Sequence, residues 1–287
     1  VEEKVISQET RNSIKGYLEG FIQGLIEEHK SDIRIRKVQE ESAGYTSSQG
    51  IFKPFHEAII SPEVLRISAF ERSFSTRLGS TFEECAALIA SQQHKNVKRN
   101  YAVEKQVSLS ALQEIEQMIG RASQGQGVNF LEMVDNLLKG SNSWSGSEER
   151  RLIIADLYFE DNHGREYFFE IKSPKPNKGQ CLEVTERLLR IHAANKKGRP
   201  EICAYFAMPY NPYGKNKEDY KHGFSIKYLD MQNQVLLGSE FWELIGGSGA
   251  YDELLDIYAE VGRENSKKII DALAFGFGWS ESSMSGM

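Results

Sequence analysis

The chain has 287 residues, 40% of them hydrophobic and 26% charged, with a formal net charge of −6. That length suits one large domain or two small ones around a substantial core, and no run approaches the ~18 apolar residues that a membrane span needs. The composition likewise excludes a collagen, a coiled-coil array and a wholly disordered chain.

The start, Val1-Glu-Glu-Lys, is acidic and polar and does not read as a secretory signal. Ile14, Leu18, Phe21 and Leu25 then recur at helical spacing and predict a first amphipathic helix. Residues 41–50 are a polar loop. A helix is expected to begin near Ser80, with Phe82, Ala86 and Ile89 facing inward. It is followed by a basic patch of Lys95, Lys98, Arg99 and Lys105 against Glu104 alone. Two further amphipathic segments, near 110–120 and 129–139, are separated by the loop Ser123-Gln-Gly-Gln-Gly. Gly140-Ser-Asn-Ser-Trp-Ser-Gly-Ser reads as a linker.

After it the period changes to two. Ile153, Ala155, Leu157 and Phe159 fall on one face of a strand, and Ile154, Asp156, Tyr158 and Glu160 on the other. Asp161-Asn-His-Gly is a turn signal, and Arg165 to Lys172 reads as the returning strand of a hairpin. A helix over 181–195, a strand Ile202-Cys-Ala-Tyr-Phe-Ala-Met and a short alternating strand Phe224-Ser-Ile-Lys-Tyr-Leu follow. From Ser239 the chain reads as helical with Gly-rich breaks. The expected fold is α/β: a mixed central β-sheet flanked by helices, with helical N- and C-terminal additions.

Charge is unevenly spread. From Lys172 to Lys221 eleven Lys/Arg stand against five Asp/Glu, so a basic region sits on an acidic remainder, the footprint of a phosphate binder. Soluble lysine-rich loops are the bland alternative. Cys85, Cys181 and Cys203 are an odd count without a CxxC pair, which suits a reducing cytoplasm and argues against a disulfide framework or a zinc site. The six histidines form no HxxxH or HExxH pair.

The hairpin carries the chemistry. Glu170 and Lys172 share a strand face, and chain reversal brings Asp156 of the preceding strand beside Glu170. Two carboxylates on neighbouring strands make an oxygen-rich site for Mg²⁺, and left bare they repel each other and raise a pKa. A lysine two residues on can orient or deprotonate a water, which completes the parts for metal-assisted phosphodiester hydrolysis. A solvated strand face with cross-strand ion pairs is the competing reading. Against it stand the apolar Phe168, Phe169 and Ile171, and the run Leu152-Ile-Ile-Ala around Asp156, where an unpaired charge is costly. The Ser173-Pro-Lys-Pro-Asn-Lys-Gly-Gln loop also brings positive charge to the same end of the sheet. A glycosidase pair suits this lysine less well, and there is no GxSxG, Walker loop or dinucleotide fingerprint.

Asp156, a hairpin and Glu170-Ile171-Lys172 resemble the PD-(D/E)xK nuclease signature, with Ala155 where that family usually has Pro. The segment Phe168-Phe-Glu-Ile-Lys-Ser-Pro-Lys-Pro-Asn-Lys-Gly-Gln, with a helix after it, resembles the catalytic segment of type II restriction endonucleases of the TdeIII kind. Arg72-Ser-Phe-Ser-Thr-Arg-Leu-Gly-Ser-Thr-Phe-Glu-Glu and Leu236-Leu-Gly-Ser-Glu-Phe-Trp-Glu-Leu-Ile-Gly-Gly are similar to flanking parts of the same enzymes. The resemblance covers roughly residues 70–260.

The resemblance implies a restriction-endonuclease-like core at 76–235 of a single nuclease domain, between helical regions 1–75 and 236–287. It implies Mg²⁺ held by Asp156 and Glu170, an attacking water assisted by Lys172, and Glu83 as the acidic residue of the first core helix, touching the metal through water. Ser80-x-x-Glu83 also reads as a capping box, and the two roles are compatible. Glu84 is expected to face solvent. Lys175, Lys178 and Gln180 follow the site closely enough to touch DNA, and Arg72 and Arg77 precede the first core helix; for each, backbone positioning is favoured over base readout. The activity implied is Mg²⁺-dependent cleavage of double-stranded DNA at a short palindrome, of the GGNCC sort. A homodimer follows from the symmetry of such a site, and a cognate DNA methyltransferase from the restriction–modification pairing. A structure-specific repair or recombination nuclease and a non-catalytic DNA-binding module are the alternatives, separable by plasmid digestion.

Overall fold

The computed structural model describes residues 4–40, 54–141, 147–194 and 201–274; the expected loop at 41–50 and most of the linker after Gly140 lie outside them. In chain order the elements are α1 (Gln8–Glu40), α2 (Pro54–Ile59), α3 (Pro62–Ala90), β1 (Lys95–Ser108), α4 (Leu109–Ser123), α5 (Phe130–Ser141), β2 (Glu148–Glu160), β3 (Glu166–Ile171), α6 (Lys178–Ala193), β4 (Ile202–Met208), α7 (Gly223–Tyr228), β5 (Val235–Leu237), α8 (Ser239–Gly246) and α9 (Ala250–Ala274). They fall into two compact units: a helical one of Arg11–Thr81 and Leu255–Met287, and a sheet-bearing one of Val1–Thr10 and Phe82–Leu254.

In the helical unit the expected apolar stripe of α1 is realised, with Ile14, Leu18 and Leu25 buried and Phe21 packed 5.8 Å from the ring of Phe74. Arg11 and Lys15 pair with Glu260 at 2.6 and 2.8 Å. These pairs add register more than stability, because they remain partly hydrated.

The other unit is built on a mixed sheet in the order β1-β2-β3-β4-β5. β1–β2 and β2–β3 are antiparallel, whereas β3–β4 and β4–β5 are parallel. A parallel neighbour requires a crossover, and α6 supplies it between β3 and β4. Val107, Ile153, Tyr158, Phe168, Phe206 and residues of α4, α5 and α6 such as Ile115, Leu137 and Leu188 form one buried cluster. Away from that cluster Phe169 stands 5.4 Å from Phe159 and 5.6 Å from Phe241 of α8.

Three sequence expectations are corrected, and one strand is added. The basic patch Lys95–Lys105, to which the sequence reading gives no element, is part of β1, a fourteen-residue strand at the sheet edge. Lysines are common on edge strands because they discourage pairing with another chain, and here they hid the alternation of Tyr101, Val103 and Val107. Phe224–Leu229 is not a strand: Gly223–Tyr228 is helix α7, whose buried residues Ser225, Tyr228 and Leu229 are spaced three and four apart. The helix expected to begin near Ser80 begins at Pro62, so Ser80 is mid-helix, bonds back to Arg77 O at 2.7 Å and caps nothing. Last, the strict alternation along β2 breaks, since Ile153 and Ala155 share their buried cluster with Tyr158. Opposite the break, between the pairs Arg99↔Leu157 and Tyr101↔Ala155, lies Asn100 with φ +46°, a left-handed kink that asparagine tolerates.

Candidate active site

β2 and β3 form the expected hairpin. Its turn is held by Asp161, which accepts from His163 N at 2.8 Å and Arg165 N at 2.9 Å, while Gly164 takes φ +82°. Leu157 pairs with Phe169, and Asp156 and Glu170 each stand one residue beyond that pair. The break in alternation leaves Asp156 at the point where the strand changes its packing.

The three expected groups converge. Lys172 Nζ lies 2.8 Å from Glu170 Oε1 and 3.9 Å from Asp156 Oδ2. Asp156 Oδ2 also accepts the backbone N–H of Ile171 at 2.7 Å, which ties its side chain to the neighbouring strand. Glu170 is 1% exposed, and its other oxygen, Oε2, accepts from Arg187 Nη1 of α6 at 2.6 Å. Oε1 is buried and accepts no well-aligned hydrogen bond although the ammonium is near.

The electrostatics follow from burial. Desolvation, then repulsion by Glu170, pushes the Asp156 carboxyl up to about 6; the Ile171 N–H and Lys172 hold it down in part, and Glu83 adds to the rise. Burial opposes the Lys172 ammonium, but the pull of Glu170 and Asp156 outweighs it, and its pKa lies above the ordinary lysine value. Lys172 is therefore a cation here.

Glu83, on the last turns of α3, is bound by Arg99 Nη2 of β1 at 3.2 Å. Glu84, expected to face solvent, instead forms a close ion pair with Arg99 Nη1. Among the described residues no group of three or more His, Cys, Asp or Glu side chains stands ready to hold a metal. Asp156 and Glu170 are a pair, with Glu83 held to one side by Arg99. Two carboxylates nonetheless fit Mg²⁺, which keeps several waters and is commonly bound through one or two protein carboxylates. The buried, unaligned Oε1 of Glu170 and the charge strain on Asp156 are what a hard cation relieves.

A family model described as type II restriction endonuclease, HinfI, matches residues 8–262. The chain belongs to this HinfI family of type II restriction endonucleases. The class expected from the motif thus holds, with the HinfI model matching where the motif resembles the TdeIII kind. The chain is 44% identical to the type II restriction enzyme HgiCII of Herpetosiphon aurantiacus over 268 residues, 92% of this chain and 97% of the relative. HgiBI of the same organism is 42% identical over 270 residues, with the same coverage. MjaII of Methanocaldococcus jannaschii is 25% identical over 221 residues, 72% of this chain and 58% of that enzyme. No solved structure matches. The protein is a site-specific deoxyribonuclease acting on double-stranded DNA.

The other candidates of this HinfI-family chain are placed as follows. Lys175 is exposed in the loop after Lys172, with Nζ 5.5 Å from the Tyr213 ring centre. Lys178 opens α6 with Nζ 5.2 Å from the Tyr228 ring centre. Gln180 is the N3 partner of a capping box with Asn177: its backbone N–H donates to Asn177 Oδ1 at 2.9 Å, and its Oε1 accepts from Asn177 N at 2.8 Å. Its carbonyl is thus committed to the helix, which leaves the amide NH₂ for other partners. Arg72 and Arg77 belong to the helical unit, where Arg72 is exposed and Arg77 pairs with Glu28 at 2.5 Å.

Sequence reasoning misses Arg187, and it reads Arg99 only as part of a basic patch, not as the partner of Glu83 and Glu84. Arg187 sits one position off the buried Val184, Leu188 and Ile191 of α6 and pairs i,i+4 with Glu183, the ordinary look of a solvated helix edge. Only the fold shows that it also reaches Glu170.

Proposed function

We propose that this HinfI-family enzyme cuts double-stranded DNA by Mg²⁺-dependent hydrolysis, with Asp156 and Glu170 as the carboxylates that hold the metal and Lys172 as the cation beside them. What supports the reading is the meeting of all three groups at one end of the β2–β3 hairpin, 2.8 and 3.9 Å from a single ammonium. When bound, the metal supplies Lewis acidity to the scissile phosphate and lowers the pKa of water.

The chain's own groups do the rest. Glu170 is locked by Arg187 and Asp156 by the Ile171 N–H, so both carboxylates are preorganised. Lys172, an ammonium beside the two carboxylates, assists the attacking water and offsets charge that develops on the phosphate. Glu83, released from Arg99, is the candidate for a water-mediated contact. Lys175, Lys178, Arg72 and Arg77 supply phosphate contacts, and the Gln180 NH₂ a further donor.

The target is read as an interrupted palindrome of the GGNCC sort, cut by a homodimer whose twofold axis matches that of the site. A cognate DNA methyltransferase protects the host. The enzyme works in the cytoplasm, a reading supported by three cysteines that all remain thiols. Among the described residues no helix is long and apolar enough to cross a membrane.

Digesting a plasmid of known sequence with Mg²⁺ and sequencing the fragment ends tests the whole reading. Discrete fragments with a shared palindrome at their ends are expected; uniform degradation rejects site specificity. Asp156→Ala, Glu170→Ala and Lys172→Ala should each lower cleavage by ~100-fold or more while DNA retardation persists. A carboxylate variant that cuts at the parent rate refutes the site.

A further inference from the structure

α7 carries exposed apolar side chains beside the segment that follows Lys172. It has six residues, Gly223–Tyr228, and it turns Ser225 and Tyr228 inward while leaving Phe224 48% and Ile226 54% exposed. Two positions apart on a helix, they do not touch but stand on either flank of the exposed Lys227, so the outward arc of α7 alternates apolar and cationic groups. Here they are framed by positive charge. Lys221 and Lys227 are exposed on and beside the helix, Lys175 of the catalytic loop lies over Tyr213, and Lys178 and Lys227 both lie over the Tyr228 ring, at 5.2 and 5.3 Å. The acids closest in the chain are Glu218, Asp219 and Asp230; Asp219 accepts from Asn216 N at 3.1 Å and Asp230 from Phe130 N at 3.0 Å.

This surface is wired to the segment that follows Lys172. Tyr220 is buried and its hydroxyl donates to Pro174 O at 2.5 Å. Its single proton is thereby used, so the 2.8 Å contact with Ser225 Oγ runs from the serine to the tyrosine. His222 Nδ1, 3.1 Å from Ser225 Oγ, is then the donor to that serine. The chain His222→Ser225→Tyr220→Pro174 pins α7 to the Ser173–Asn177 loop.

We propose that the exposed face of α7, made of Phe224, Ile226, Lys221 and Lys227, contacts the DNA duplex next to the scissile phosphate. Lysines interleaved with exposed aromatic and aliphatic side chains fit DNA better than a protein partner. The cations pair with phosphates, and Phe224 and Ile226 can meet thymine methyls or lean on a base step. The site beside which α7 lies rests on the functional reading above, but the test needs no cleavage and therefore stands or falls separately from the roles of Asp156 and Glu170.

The test measures binding of a fluorescein-labelled mixed-sequence duplex by anisotropy in EDTA over a range of salt. For Lys221→Ala with Lys227→Ala, the slope of log K against log salt should fall by about 2, since each phosphate contact contributes ~0.9. Phe224→Ser with Ile226→Ser should weaken binding severalfold with the slope unchanged. All four positions are exposed, so melting curves should match the parent. Parent-like affinity and slope in both variants overturn the proposal. So does a Phe224/Ile226 variant that binds DNA normally but changes its sedimentation coefficient, which would make α7 a self-association surface.

Discussion

Arg187 Nη1 stands 2.6 Å from Glu170 Oε2, so a carboxylate with 1% exposure is held by a cation from the next helix. Removing that partner leaves a buried charge with Lys172 alone to balance it. Breaking one side of a buried pair costs about 3 kcal/mol. Arg187→Ala should therefore lower the melting temperature clearly and cut activity, and Arg187→Lys should recover part of both. Adding the metal ion should raise the melting temperature of Arg187→Ala, because a cation at Glu170 replaces some of the lost charge. A parent-like melt for Arg187→Ala would show that the pair contributes nothing.

Asp156 gives the pH signature. Its folded pKa, about 6, lies above the ordinary 3.8, so the folded protein holds more protons than the unfolded chain between those values. The stability that protonated Asp156 contributes is full below about pH 4 and lost as pH rises through about 6, a change of up to about 3 kcal/mol. Asp156→Asn carries no charge and should not show the loss. Melting curves should then converge at pH 4 and separate by pH 7, with the variant the more stable. Mg²⁺ should narrow the gap at pH 7 by stabilising the parent alone.

How much of this was legible depended on whether the signal was local. Asp156, Glu170 and Lys172 could be placed because strand periodicity and one turn, Asp161–Gly164, decide which residues share a face. The kink at Asn100 could not, since it lies on another strand and needs the pairing of β1 with β2 to matter. β1 was hidden by its own lysines. In α7 the apolar Phe224 and Ile226 mimic a strand period of two although both are exposed, whereas the buried set is Ser225, Tyr228 and Leu229. Ser80–Glu83 has the spacing of a capping box, but the box that forms is Asn177–Gln180. The pattern was right, but helix α3 had started eighteen residues before Ser80, at Pro62. Arg187 and Arg99 answer to tertiary contacts alone.

Glu83 and Glu84 offer a clean comparison, since both bind Arg99 and only their direction differs. Glu83 raises the Asp156 pKa through its charge, which puts it within electrical reach of the site. Glu84 is engaged with Arg99. Glu83→Gln should slow cleavage and lower the metal affinity. Glu84→Gln should cleave near the parent rate and lose about 1 kcal/mol of stability or less, as a partly hydrated ion pair does. Titrating cleavage against Mg²⁺ for both variants separates these outcomes, and equal effects would remove Glu83 from the site.

Tyr220 is a positioning residue by the same logic. Its hydroxyl reaches Pro174 O, two residues beyond Lys172, and touches neither Asp156 nor Glu170. Tyr220→Phe keeps the ring packed 5.5 Å from Tyr213 and removes only the hydrogen bonds. It strands the Pro174 carbonyl and the Ser225 hydroxyl, at a cost of about 1–3 kcal/mol if both stay buried. The loop that carries Lys175 then loses its anchor to α7. Single-turnover cleavage should slow by about tenfold or more, while duplex binding in EDTA stays within about twofold of the parent, because no lysine or exposed apolar group has been removed. A merely structural role would lower stability and leave the single-turnover rate intact below the melting temperature. Equal losses in binding and rate would instead mean that the hydroxyl holds the binding surface itself, and the assignment of Tyr220 to the catalytic loop would fail.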